Sequence, residues 1–108
     1  MLDAMADDME WDSGYPAIVP FSGVWRGHDG VRRLLSTLTE TIQVLAFELH
    51  EFVAENDRVV VLGLEEATAK ATGRTYRNEW VHVWTVRGGK LAKLRSYNDT
   101  AAVAAAFA

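Results

Sequence analysis

The chain predicts an α+β domain, with helices gathered on one face of a strongly bent antiparallel sheet. Three observations lead there. Four long strand-like runs follow one another after residue 44, separated only by short turn signals. One segment before them carries apolar residues at helical spacing, and the chain closes on an alanine-rich stretch. At 108 residues, all of it forms one domain.

Leu2, Met5 and Met9, spaced by three and four, predict the end of a helix running to about Asp8. Glu10 to Ser13 alternates as a short strand. Gly14 to Gly27 holds both prolines and three glycines, which predicts a loop. Its apolar residues, among them Tyr15, Phe21 and Trp25, predict that this loop folds inward as a cover. Asp29 is a candidate N-cap for a helix carrying Val31, Leu34, Leu35, Leu38 and Ile42. Strands follow at Val44–Glu55 and Val59–Ala71, with Asn56-Asp57 as the turn between them. Ala71-Thr72-Gly73 and Arg87-Gly88-Gly89 read as three-residue hairpin loops. Thr100–Phe107 is the last helix, capped by Asp99 or Thr100.

The totals narrow the partners. Net charge is −4 with no basic run, so nucleic acid is not expected. No apolar run is long enough to cross a bilayer as a helix. The acidic N-terminus lacks the order of a signal peptide. No cysteine is present, so thiolate chemistry and disulfides are excluded, and cytoplasmic residence is the default. The three histidines lack metal-ligand spacing and no glycine motif cradles phosphate, so neither a metal nor a cofactor is expected.

The most telling segment is Thr75–Val86. Strand side chains alternate, so Asn78, Trp80, His82 and Trp84 share a face. Two indoles flanking an imidazole are too aromatic for a wet surface and too polar for plain filler, as in the wall of a small-molecule pocket. With three-residue loops, Val86 pairs with Lys90, which sets His82 opposite Leu94, Trp80 opposite Ser96 and Asn78 opposite Asn98. The same count puts Glu66, Leu64, Leu62 and Val60 of the preceding strand on this face.

The chain resembles the SnoaL-like group of the nuclear-transport-factor-2-like superfamily, which includes ketosteroid isomerase, polyketide cyclases and limonene epoxide hydrolase. The matching pieces are Ala6-Asp-Asp-Met-Glu-Trp11, Phe21-Ser-Gly-Val-Trp-Arg-Gly27, Thr72-Gly73, Val81-His-Val-Trp-Thr-Val-Arg-Gly-Gly-Lys-Leu91 and Arg95-Ser-Tyr-Asn-Asp-Thr100. Their order spans nearly the whole chain. The resemblance implies a cone-shaped sheet with helices packed on its concave side. It also implies a full first helix across the mouth. Here only about two turns remain, so either the chain is truncated, or the true start lies upstream, or this member leaves its pocket more open. The isomerase's base position is filled by Ser13, its tyrosine belongs to the shortened helix, and Ser96 stands where the epoxide hydrolase has an acid. Neither known mechanism therefore carries over.

The concave face is expected to bind a small apolar molecule bearing oxygen. Trp11, Ser13, Asn78, Trp80, Trp84, Ser96 and Asn98 are its expected lining. His82 and Glu66 are the candidate acid/base groups, since imidazole titrates near neutrality and a desolvated carboxyl shifts toward it. Asp99 reads as a functional acid by family analogy, or as a helix cap by position; the cap is favoured. Three functions remain open: an isomerase, cyclase or hydratase using proton transfer; a binding protein with no turnover; and an interaction module. A homodimer is expected through the convex face, at Val81, Val83, Arg95 and Tyr97.

Overall fold

A computed structural model describes residues 2–108. A 3₁₀ turn at Leu2–Ala4 leads into β1 (Met5–Asp12), followed by β2 (Val24–Arg26), α1 (Gly27–Thr41), β3 (Ile42–Glu55), β4 (Arg58–Ala69), β5 (Thr75–Arg87), β6 (Lys90–Tyr97) and α2 (Thr100–Phe107). The six strands form one sheet in the order β2-β1-β6-β5-β4-β3. All pairs are antiparallel except β1 with β6. Bulges interrupt β3 twice and the β5–β6 ladder once. Bulges bend strands and deepen twist. The helices pack on one side of the curved sheet, α1 mainly against β1 and β2, and α2 against β5.

The α+β architecture is as the sequence predicts. The first element is a correction: residues 5–12 form a strand rather than the end of a helix. Met5 and Met9 are both buried. A spacing of four also fits a strand, so those two residues could not separate the two forms. The predicted loop contains β2, which pairs Trp25 with Trp11. The cap of α1 is Arg26, with no side-chain hydrogen bond. Asp29 instead sits in the first turn and accepts from Arg32 at 2.7 Å. A carboxylate there suits the positive end of the helix. Asp99 caps α2, accepting from Ala102 N–H at 3.1 Å, as favoured from its position.

The two later hairpins depart from expectation in opposite ways. At the β4–β5 turn, Ala69 N–H donates to the Arg74 carbonyl at 2.8 Å, so the loop has four residues, Lys70 to Gly73. The pairing moves by one residue, setting Glu65 opposite Asn78 and Val61 opposite His82. A one-residue shift turns every side chain of the strand over. Glu66, Leu64, Leu62 and Val60 therefore leave the concave face, and Val59, Val61, Gly63, Glu65 and Ala67 replace them. At the β5–β6 turn, Arg87 pairs directly with Lys90 across Gly88-Gly89, both in the left-handed region. That shortens the loop by one residue, and the bulge near Ala92 adds another step. His82 then faces Ser96 and Trp84 faces Leu94. The net slip is two residues, so partners change while the face is preserved.

Two buried clusters hold this frame. One joins Val19, Phe21, Leu34, Tyr76 and Val103 beneath α2 and the 13–23 loop. The other joins Met5, Met9, Val31 and Leu94 beneath α1. Between them lies the site.

Candidate functional site

Strand β5 supplies the wall. Trp80 lies flat against Phe47 of β3, with ring centroids 5.1 Å apart and planes 18° from parallel. On its other side His82 stacks at 4.1 Å and 28°. Room for the indole comes from Gly63, opposite Trp80 on β4. A Cβ there would stand 2.2 Å from the Trp80 ring and 2.3 Å from the Glu48 carbonyl oxygen. Offset aromatic stacks of this kind fix ring orientation as well as burying area.

A cavity of about 200 Å³ opens against this wall. Trp11, Ser13, Asn78, Trp80, His82, Ser96 and Asn98 all line it. Trp84 does not. It shares the face but lies beyond the cavity, edge-on to Trp11 at 6.0 Å and packed on the Met5–Leu94 cluster. Glu66 is also absent. Its side chain is on the opposite face, 3.7 Å from Arg77. Glu65 occupies the place expected for it.

The residues missed from sequence are Tyr15, Phe21, Leu34, Leu38, Phe47 and Glu65. The inward-folding loop pointed to Tyr15 and Phe21, which meet edge-on at 5.0 Å. Leu34 and Leu38 belong to the apolar stripe of α1. Phe47 and Glu65 depend on pairing register and had no local signal.

Polar groups at one end satisfy one another. Tyr15 donates its hydroxyl hydrogen to Asn98 Oδ1 at 3.0 Å and accepts from Asn78 Nδ2 at 3.1 Å. Asn78 Nδ2 also donates to Asn98 Oδ1 at 3.0 Å, and its Oδ1 accepts from Asp99 N–H at 2.8 Å. Asn98 Nδ2 donates to the Ser13 carbonyl at 2.9 Å and to Ser96 Oγ at 3.0 Å. Ser13 donates its hydroxyl to the Gly23 carbonyl at 2.9 Å, pinning the covering loop. Buried polar groups paired this completely make a rigid frame and leave few donors for a guest.

Three groups of the wall lack a full set of partners among the described residues. The Trp80 indole N–H is buried without a partner. His82 has no hydrogen-bond partner, and desolvation lowers its pKa to about 4, so the ring is neutral at pH 7. Glu65 accepts at Oε1 from the Tyr76 hydroxyl at 3.0 Å, which leaves Oε2 free. Burial raises the Glu65 pKa, and the Tyr76 bond partly offsets that rise. Burial and the Glu65 charge push the Tyr15 and Tyr76 hydroxyls well above the usual tyrosine range. Among the described residues, the wall carries no lysine or arginine. The described residues hold no cluster of three or more His, Cys, Asp or Glu suited to a metal ion.

Known proteins agree with this architecture. A crystal structure of an NTF2-like protein from Burkholderia xenovorans LB400 is 36% identical, with a TM-score of 0.89 over 99% of this chain and 80% of that one. An NTF2-like protein from Burkholderia thailandensis E264 is 28% identical, with a TM-score of 0.88 over 100% and 82% of the two chains. TerC, co-crystallised with polyporic acid, is 29% identical, with a TM-score of 0.79 over 98% and 82%. No curated protein matches the sequence. The SnoaL-like domain model matches residues 1–94. With the unclosed, cone-like sheet and its concave cavity, that match places the chain: it belongs to the SnoaL-like domain family.

Proposed function

We propose that this protein binds a small, uncharged, largely apolar molecule carrying at least one oxygen, and that it moves a proton on that molecule. The observation that carries the reading is the division of the wall's polar groups. The Asn78–Asn98–Tyr15 set is satisfied internally, whereas Trp80 N–H and His82 are not. An unpaired buried donor costs about 1–3 kcal/mol, which a ligand oxygen would recover. The absence of a cationic residue in the wall disfavours carboxylate or phosphate ligands. The relative co-crystallised with polyporic acid supports small-molecule binding within this fold.

His82 is the proposed hydrogen-bond donor to the ligand oxygen. Its neutral state at pH 7 keeps an N–H on a ring that costs little to bury. A neutral donor in a dry site stabilises negative charge developing on a carbonyl oxygen. We further propose a homodimer through Val81, Val83, Arg95 and Tyr97 on the convex face, and residence in the cytoplasm. Tyr97 is exposed there with the Arg95 guanidinium 5.2 Å from its ring centre.

One native mass spectrum of the purified protein tests both parts. A co-purifying neutral molecule on a dimer supports them. A monomer at micromolar concentration contradicts the dimer. For the pocket, His82→Gln should weaken binding of 1-tetralone, a neutral bicyclic ketone, by about three- to tenfold, the worth of one hydrogen bond. Unchanged binding, read by tryptophan fluorescence, would remove His82 from ligand recognition.

A further inference from the structure

We propose that Glu65 is the proton-transfer group of this pocket, taking a proton from a carbon next to the bound ligand's carbonyl, with Tyr76 as its positioning residue. The inference rests on the ligand reading above and deepens it. Glu65 is the only carboxylate of the cavity wall among the described residues. It stands one strand away from Trp80 and His82, opposite Asn78, on the same face. Tyr76 holds one carboxylate oxygen from the core side at 3.0 Å, and the other has no partner among the described residues. Tyr76 is buried and absent from the cavity lining, so it can orient the carboxylate but not touch a ligand.

His82 is poorly suited to the same task, because a ring that stays neutral down to about pH 4 is a weak base. The two groups divide the work. In the forward step the C–H bond breaks and an O–H bond forms on Glu65. The C–H electron pair becomes the C=C bond of an enolate, and the carbonyl π pair moves onto oxygen. His82, a wall residue without a hydrogen-bond partner among the described residues, is the group able to meet that charge. Return of the proton to the same carbon gives exchange, and return to a conjugated carbon gives isomerisation. No other reactant is needed. The ionisable groups facing Glu65 are Tyr15 from the covering loop and Tyr76 from β5, both neutral across the working range. Leu34 and Leu38 from α1 also line the cavity.

The experiment uses the full chain and 1-tetralone in D₂O. Proton NMR follows exchange at C2, and tryptophan fluorescence follows binding. The wild type should bind and accelerate exchange. Glu65→Gln, which keeps size and can still accept from Tyr76, should lose about a hundredfold or more in exchange while binding stays within about threefold. Glu65→Asp should retain more exchange than Glu65→Gln. Tyr76→Phe should move the pH midpoint of exchange upward, because it removes a bond that favours the carboxylate. A purely structural role would not move that midpoint. Exchange by Glu65→Gln within threefold of wild type, or binding by wild type without exchange, would overturn the proposal and leave the pocket reading standing. Failure of the wild type to bind would overturn both.

Discussion

Trp80 and Phe52 lie on the same face of one sheet, two strands apart, yet Trp80 is 3% exposed and Phe52 is 64% exposed. The cross-strand row Leu49–Gly63–Trp80 runs from the open edge into the pocket wall, and Phe52–Val61–His82 runs beside it. On β5 the helices and the 13–23 loop close over the aromatic residues. On β3 only Ile42 at its start is buried, and Val44, Leu49 and Phe52 face outward with at least half their surface bare. The contrast shows that alternation alone sets which face a residue takes, while tertiary cover decides whether that face becomes a site. Strand β3 limits the liability of its edge with two bulges and with Glu48, Glu51 and Glu55.

Breaking the covered side should cost most. Trp80→Ala removes the plate between Phe47 and His82 and should destabilise the protein by about 3–5 kcal/mol in denaturant unfolding. Gly63→Ala should cost about 3 kcal/mol, because its Cβ meets both the Trp80 ring and a backbone oxygen. If Gly63→Ala proved neutral, the close approach of Trp80 to β4 would be wrong.

The next effect depends on pH. The folded state holds His82 at about 4, below its unfolded value near 6.5. Between those values the unfolded chain binds the extra proton, so stability rises with pH there. The contribution is fully present above about pH 6.5 and is lost as pH falls through 4. It amounts to about 3 kcal/mol. Carboxylates also titrate in this range, so the measure is the difference between wild type and His82→Gln. The stability gap between them should narrow or reverse on going from pH 7 to pH 4. A gap independent of pH would mean that His82 is not desolvated.

The open side should respond least. Phe52→Ser and Leu49→Ser should change stability by no more than about 0.5 kcal/mol, while lowering binding of a hydrophobic dye. Phe47 sharpens the comparison. It belongs to β3 and is half exposed, yet it stacks on Trp80. Phe47→Ala should therefore behave like a pocket residue, costing more than Phe52→Ser.

The same comparison explains what could be read from the sequence. The face of β5 followed from parity within one strand, so Asn78, Trp80 and His82 were legible. Positions across strands required loop lengths. The β5–β6 hairpin was miscounted by an even number, and Ser96 and Asn98 stayed on the correct side. The β4–β5 loop was miscounted by one, which put Glu66 in the cavity in place of Glu65. Lys70 gave no local signal that it belonged to the loop. Trp84 failed for another reason: it has the right parity but lies past the end of the cavity, a matter of where α1 crosses the sheet. The initial helix failed because spacings of four suit both helix and strand.

The central claim is that a guest binds against the Trp80 wall rather than on the bare β3 edge. Indole N–H signals in a nitrogen–proton correlation spectrum test it directly, since the four tryptophans divide by place. Trp11 and Trp80 line the cavity, Trp84 packs outside it, and Trp25 donates to the Phe21 carbonyl at 3.3 Å. On titration with 1-tetralone, the Trp80 and Trp11 signals should shift most, because both rings line the cavity. Shifts confined to Trp84 and Trp25, or no indole shift at millimolar ligand, would contradict the account.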